Sequence, residues 1–384
     1  MDILVLGAGL VGGPLAIDLA KDDRFSVTAV DLSKDALQKL VNYPVKTVPM
    51  DLRFPEEVTR LAGRYDMVVN AVPGSLGFQT LKALIWAGKD IVDISFFPED
   101  PMELDEIARR KNVTVVTDCG VAPGMCNVLI GHADSLLNET EKVVYYVGGL
   151  PEIREWPWEY KAVFSPSDVI EEYTRPARLV ENGKIVEKPA LSDLELIDFP
   201  GVGTLEAFNT DGLRSLLKTI QAPDMKEKTL RYPGHAEKIK ILKETGFFSQ
   251  EEIGFNGCSI SAVDFTAKVL FPKWKLKENE TDFTLMKVIV EGKKDEERLR
   301  LTYDLFDKYD ASTGVHSMAR TTGYTATVTL RMIIDGLFRE KGIIVPEMIG
   351  KNPDCVKYLL NGLKERGVVY RESVTTLSAD QKSL

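Results

Sequence analysis

The chain has 384 residues, is 44% hydrophobic and 28% charged, and carries a formal net charge of −10 at pH 7. That length accommodates two hydrophobic cores, and the acidic balance argues against a nucleic-acid partner or an anionic membrane surface. No apolar run approaches the length of a membrane span. The four scattered cysteines (Cys119, Cys126, Cys258 and Cys355) form no C-x-x-C pair, which argues against zinc and against a disulfide framework.

The first predicted strand, Ile3–Leu6, runs into Gly7-Ala8-Gly9-Leu10-Val11-Gly12 and then into a helical pattern at Leu15–Ala20. A second strand, Val27–Val30, ends on Asp31. A G-x-G-x-x-G set between a strand and a helix, with an acid closing the next strand, is the pattern of a dinucleotide-binding βαβ unit. Gly7 makes the turn, Gly9 lets the backbone approach a pyrophosphate, and Gly12 allows close helix–sheet packing. With Leu10 and Val11, these residues form the predicted phosphate loop at a helix N-terminus. Asp31 suits the two ribose hydroxyls and would repel a 2′-phosphate. Leu32 and Ser33 supply no arginine to hold one, so the expected cofactor is NAD. A strand beginning at Asp2 leaves no room for a presequence, and the expected location is the cytoplasm.

The alternation continues: helix 34–40, strand 45–48, helix 55–61, strand 67–72 closed by Pro73-Gly74, helix 76–87, strand 91–94, helix 104–110 and strand 113–116. Such alternation predicts an α/β fold with a doubly wound parallel sheet, a Rossmann domain. Ligands bind such sheets outside the carboxyl ends of the strands. Ala71, Val72, Pro73 and Ser95 are therefore expected near the cofactor, and Asp93, Phe96 and Asp118 toward nicotinamide and substrate.

After about residue 127 the texture changes. A helix over 128–137 precedes strands at 143–147, 160–164, 194–199, 205–207, 259–270 and 283–291. A ribbon over 179–187 turns at Asn182-Gly183. This predicts an inserted α+β domain with a mixed, largely antiparallel sheet, spanning 128–314. Helices return at 319–338 and 354–366, the longer one packing back on the first domain. That domain is thus expected to comprise 1–127 and 315–384.

Several segments resemble the saccharopine dehydrogenase superfamily: Asp93-Ile-Ser-Phe-Phe-Pro-Glu-Asp and Asp118-Cys-Gly-Val-Ala-Pro-Gly-Met. Others are similar to its lysine 6-dehydrogenase branch. They are Tyr146-Val-Gly-Gly-Leu-Pro, Ile170-Glu-Glu-Tyr-Thr-Arg-Pro-Ala-Arg, Asp211-Gly-Leu-Arg-Ser, Thr229-Leu-Arg-Tyr-Pro-Gly-His-Ala-Glu-Lys and Ser317-Met-Ala-Arg-Thr-Thr-Gly-Tyr-Thr-Ala. The resemblance implies NAD-dependent oxidation at the ε-carbon of L-lysine, with loss of ammonia and cyclisation of the aldehyde. It also implies a homodimer or higher homo-oligomer. One departure stands out: the residue before Pro-Gly after the sixth strand is acidic in saccharopine-forming relatives and is Ala122 here. That favours plain lysine or a similar amine over the larger substrate.

Oxidising an amine requires its nitrogen to be unprotonated, so a proton acceptor is needed beside it. Asp118 and Asp93 are the candidates, with helix or turn capping as the plain alternative. His235, in a turn before a helix at 237–245, has a suitable pKa for proton transfer, or is structural. Arg214, expected in the first turn of a helix begun by Asp211-Gly212, is the preferred anchor for a substrate carboxylate, with Arg231 second. An ordinary ion pair is the alternative for Arg214. Phe96 and Tyr160 are candidates for the wall of a methylene slot, or plain core. Glu171 and Glu172, near Arg175 and Arg178, read as a solvated or subunit-contact cluster. Two other functions remain open: saccharopine-type reductive condensation or its reverse, and a non-catalytic NAD sensor.

Overall fold

In the computed structural model, residues 1–163, 166–255, 257–277 and 280–378 are described. The chain divides into two compact units. The first comprises Met1–Leu136 and Met318–Tyr370; the second comprises Leu137–Ser317 and the described residues from Arg371 on. Residues after Tyr370 thus join the second unit rather than the first, because the strand Tyr370–Thr376 belongs to its sheet.

The first unit holds a parallel sheet built from β1 (Asp2–Leu6), β2 (Ser26–Asp31), β3 (Val45–Pro49), β4 (Met67–Asn70), β5 (Asp90–Asp93) and β6 (Thr114–Val116). Their spatial order is β3-β2-β1-β4-β5-β6, and the strand Gly342–Ile344 extends the sheet beside β6. The reversal of strand order on either side of β1 is the doubly wound arrangement expected from sequence. β1 and β4 are buried on both faces, as parallel strands covered by helices are. Leu4, Leu6, Val68, Leu84, Ile91 and Val115 lie at the centre of this core. Pro73-Gly74 opens the next helix rather than merely breaking the chain: Pro73 is the N-cap of the helix Gly74–Trp86.

The long helix of this unit runs Ser317–Ile334, ending before the expected Phe338; Gly336 follows at φ +75°. It packs against the helix Gly12–Ala20 through Asp18, a carboxylate 5% exposed. Thr327 Oγ1 donates to Asp18 at 2.6 Å and Arg331 Nη1 at 2.9 Å. Arg366, just past the helix Pro353–Glu365, donates to the same carboxylate at 2.9 Å. One buried acid thus ties three helices.

The second unit contains β7 (Glu139–Pro151), β8 (Ala177–Glu181), β9 (Lys184–Lys188), β10 (Glu195–Phe199), β11 (Gly203–Asn209), β12 (Asp224–Arg231), β13 (Glu252–Phe255), β14 (Cys258–Ser261), β15 (Asp282–Lys294) and β16 (Glu297–Lys308). Its large sheet runs β10-β11-β12-β7-β15-β16 and then Tyr370–Thr376, with β8 joined to β12 and to β9. β12 and β7 are parallel, while the other pairings described in register are antiparallel, so the sheet is mixed. Asn182 and Gly183 have φ +51° and +74°, the two left-handed positions that a tight hairpin turn requires.

Two expectations fail here, and one strand was not foreseen. Residues 160–163 are not a strand; Ala162 makes a single bridge to Lys275, and Phe164 lies outside the described residues. β12 is an additional strand that the sequence pattern did not mark, with Glu227 and Lys228 buried in it. The segment 259–270 is not one strand: β14 ends at Ser261 and the helix Ala262–Trp274 begins. Ser261 caps that helix by accepting from Asp264 N at 3.2 Å. Its buried residues Ala262, Thr266, Leu270 and Trp274 recur every four positions, a helical stripe despite a β-rich composition.

Candidate active site

In the first unit, the glycine loop fulfils three separate steric demands. Gly7 has φ +92°, and a Cβ there would strike the Ala71 carbonyl. A Cβ on Gly12 would run into the Gly7 carbonyl oxygen, so the helix can approach the sheet only without a side chain. At Gly9, by contrast, a Cβ would meet no atom within 4 Å, which leaves the backbone open to a ligand. Leu10 is exposed beside it, and Val11 caps the following helix with no side-chain hydrogen bond, while Gly13 N donates back to Gly9 O at 3.0 Å and closes the loop onto the helix start. Asp31 closes β2. Its Oδ2 accepts from Ala8 N and its Oδ1 from Ser33 N, both at 2.7 Å. Each oxygen keeps a further lone pair, as binding a ribose would need. The loop and Asp31 therefore fit a dinucleotide.

The carboxyl ends of β4 and β5 form one polar knot. Asp93 is fully buried. Asn70 Nδ2 donates to its Oδ2 at 2.7 Å and Ser95 N to its Oδ1 at 2.7 Å, and Ser95 Oγ also donates to Oδ1. Burial pushes the Asp93 carboxyl up to about 7; these donors oppose the rise, and Asp118 adds to it by charge repulsion. Asn70 Oδ1 is buried without a hydrogen bond. Ala71 N donates to Leu6 O, and Val72 and Pro73 lead from the same strand end toward the helix. Asp118 follows β6, is 4% exposed and holds φ +50°. Phe96 is half-buried. The knot was only partly legible beforehand: Asn70 stood in the strand-end sequence, but its bridging of Asp93 and Ser95 depends on the registry of β4 beside β5.

In the second unit, Tyr160, Arg231 and His235 come together, joined by Tyr173, which sequence reasoning missed, and by Glu172, which it had placed in another cluster. The Arg231 side chain is almost wholly buried. Its Nε donates to Tyr173 Oη at 3.0 Å, its Nη1 to Leu230 O at 2.9 Å and its Nη2 to Glu172 at 3.0 Å. The guanidinium lies 4.6 Å from the Tyr160 ring centroid. Tyr173 Oη lies 3.0 Å from His235 Nε2, and His235 Nδ1 lies 3.1 Å from the Trp158 carbonyl. Burial, with Arg231 nearby, pulls the His235 pKa down to about 3. A histidine neutral over the physiological range with both nitrogens engaged orients Tyr173 in this arrangement. The helix that His235 was expected to precede begins at His235 itself. The reading of Glu172 as part of a solvated cluster is corrected: it is the half-buried counter-charge of Arg231, while Glu171 pairs with Arg175 and Arg178 with Asp211.

Arg214 does not lie in the first turn of a helix. The helix begins at Leu216, and Arg214 precedes it with φ +52°, buried at 8% exposure. A left-handed backbone at an arginine is strained, since its side chain lacks the short polar group that lets Asn and Asp adopt it. Nearby, Glu227 is 2% exposed and accepts from Thr210 Oγ1 at 2.5 Å; burial raises its carboxyl to about 8. A Cβ on Gly212 would collide with this carboxyl, so Asp211-Gly212 can pass over Glu227 only as glycine.

Among known proteins, the saccharopine dehydrogenase NADP binding domain family matches residues 3–116, and the saccharopine dehydrogenase C-terminal domain family matches residues 120–368. The chain is similar to saccharopine dehydrogenase [NADP(+), L-glutamate-forming] of Pyricularia oryzae, 23% identical over 97% of this chain and 98% of that one. It is 27% identical to bovine mitochondrial alpha-aminoadipic semialdehyde synthase over 65% of this chain, but spans only 28% of that longer protein. The structure of apo saccharopine dehydrogenase (L-Glu forming) from Saccharomyces cerevisiae superposes with a TM-score of 0.80 at 19% identity, covering 97% of this chain and 99% of that one, and so shares the fold. With both domain families matched in order along the chain, the protein belongs to the saccharopine dehydrogenase family of NAD(P)-binding oxidoreductases.

Proposed function

We propose that the chain makes or breaks the carbon–nitrogen bond of a lysine-derived secondary amine of the saccharopine type, with NAD(P) as hydride carrier. The observation that carries this reading is the near end-to-end similarity to glutamate-forming saccharopine dehydrogenases, through both domains. In the oxidative direction, hydride leaves the carbon beside nitrogen, the nitrogen loses a proton, and water cleaves the resulting imine to a carbonyl compound and a primary amine. The bound dinucleotide supplies the hydride acceptor.

The chain's own residues supply the rest. Asp118 takes the proton from nitrogen, held at the carboxyl end of β6. Asp93, fixed by Asn70 and Ser95, is the second acid of the reading. Arg214 anchors a substrate carboxylate, a role that its strained and buried backbone supports. Arg231, already bonded to Glu172 and Tyr173, is the second anchor of the reading, and Phe96 and Tyr160 are each kept in it as candidates for apolar contact. His235 keeps a supporting place through Tyr173. The preferred cofactor in this reading is NAD, because the Asp31 carboxylate at the end of β2 disfavours a 2′-phosphate, although the matched family is described by NADP. A homodimer or higher homo-oligomer is the working form of the proposal.

A second reading, oxidation of the lysine ε-amine with release of ammonia, is favoured by Ala122 in place of an acid in the loop after β6. One assay separates the two. The protein is incubated with NAD or NADP and either saccharopine or L-lysine, and reduced cofactor, glutamate and ammonia are followed. Saccharopine-dependent glutamate supports the first reading, and lysine-dependent ammonia the second. No reduced cofactor with either substrate overturns both.

A further inference from the structure

Asp93 stands where two strand ends meet. It terminates β5, and its carboxylate is clamped by Asn70 from the end of β4 and by the backbone and hydroxyl of Ser95 beyond β5. These three donors are all neutral. The charge that acts on Asp93 from the loop after β6 is Asp118, also an acid, and Cys119 is the other titratable group there. The Cys119 thiol is pushed up to about 12 by burial, Asp93 and Asp118, and so stays protonated. From the helix Gly74–Trp86, Gly77 comes close enough to the Ser95 side chain that a Cβ would meet it. The knot is thus sealed and rigid, and among the described residues no cation bonds to the Asp93 carboxylate. Burial holds Asp93 at about 7, where a modest change in local charge moves its proton on or off.

In a doubly wound sheet, the ligand lies outside these same carboxyl ends. Oxidised nicotinamide carries a positive charge on its ring, and the reduced ring is neutral. We propose that Asp93 is the counter-charge of the oxidised dinucleotide, and that it takes up a proton when hydride transfer removes the ring's charge. The balance closes: amine oxidation delivers a hydride to the ring and releases one proton from the substrate nitrogen, and Asp118 takes that proton and passes it on to the Asp93 carboxylate, so that Asp118 ends ionised as it began. In the reverse direction Asp93 gives it back. Asp93 is then a positioning charge for the cofactor's redox state, and this rests on the dinucleotide-dependent reading above.

The test is dinucleotide binding, without substrate. Oxidised and reduced forms are titrated calorimetrically from about pH 6 to about pH 9, in buffers of different ionisation enthalpy, which reports protons released. The expected result is that the ratio of reduced to oxidised Kd rises about tenfold with pH, a tenfold preference corresponding to one pKa unit. Proton release accompanies only the oxidised form. Asp93→Asn removes this dependence. Ser95→Ala, which takes one donor from the carboxylate, keeps the dependence and moves its midpoint to higher pH. A ratio flat with pH in the wild type, an unchanged slope in Asp93→Asn, or an unmoved midpoint in Ser95→Ala overturns the proposal while leaving the cofactor reading intact. The Ser95→Ala arm carries the test if Asp93→Asn does not fold. Failure to bind either dinucleotide overturns the cofactor reading, and this proposal with it.

Discussion

The Tyr173 hydroxyl donates to His235 Nε2 at 3.0 Å. The direction follows from the other ring nitrogen: Nδ1 faces the Trp158 carbonyl, which can only accept, so Nδ1 carries the hydrogen. The same hydroxyl accepts from Arg231 Nε, giving one continuous chain from Glu172 through Arg231, Tyr173 and His235 to the backbone at Trp158. Its members share an aromatic cage: the Tyr160 ring is 5.1 Å from the His235 ring and 5.6 Å from Trp274.

Tyr173→Phe cuts this chain at its centre. It leaves His235 Nε2 and Arg231 Nε without partners in a buried site, so the expected loss of stability is about 1–3 kcal/mol. Denaturant unfolding of the wild type and the variant measures it, and equal midpoints would count against the network.

His235 makes stability depend on pH in a definite direction. Its folded pKa of about 3 lies below the ordinary histidine value of 6.5, so the unfolded chain binds the proton first. The stabilisation is whole above pH 6.5 and declines as pH falls toward 3, by about 1.4 kcal/mol per pH unit. Asp93 and Glu227, raised to about 7 and about 8, act in the opposite sense, gaining stability as pH falls through those values. Comparing wild type with His235→Gln cancels their effect. The stability gap between the two proteins should shrink on acidification, and a constant gap would refute the assignment.

Asp18 is the shared partner of Arg331, Arg366 and Thr327. Asp18→Ala takes the shared counter-charge from two largely buried guanidinium groups, leaving Arg331 with its longer ion pair to Asp22 at 3.3 Å. The expected loss is about 3–5 kcal/mol, read as a lower thermal midpoint, whereas exposed pairs such as Arg110–Glu106 should contribute little when removed.

Asp31→Ser tests the cofactor preference. Removing a carboxylate that would face a 2′-phosphate should raise affinity for NADP relative to NAD by at least about tenfold. Titration of both dinucleotides with both proteins gives the ratio, and an unmoved ratio would assign discrimination to other residues.

The local signals along the chain determined the first domain almost entirely. Apart from the edge strand β3, its strands are short, largely apolar and mostly buried, its helices are punctuated by glycine, proline and acids, and the G-x-G-x-x-G set with Asp31 is a local pattern. Three kinds of feature were decided only by tertiary structure. β12 carries Glu227 and Lys228 in buried positions, which a pattern of polarity cannot anticipate, because the partners that make such burial tolerable (Thr210, and the Asp193 carbonyl) come from other elements. The helix Ala262–Trp274 overrode a β-rich composition once its every-fourth-residue stripe found a core of Tyr160, Tyr173 and Phe208. The candidate site residues were individually visible, yet the bonds that set their states are not local. Asp93 is held by Asn70, 23 positions away, and His235 by Tyr173, 62 away. Burial and a fixed partner set the protonation of an acid or a histidine, and both exist only after distant strands and helices have met.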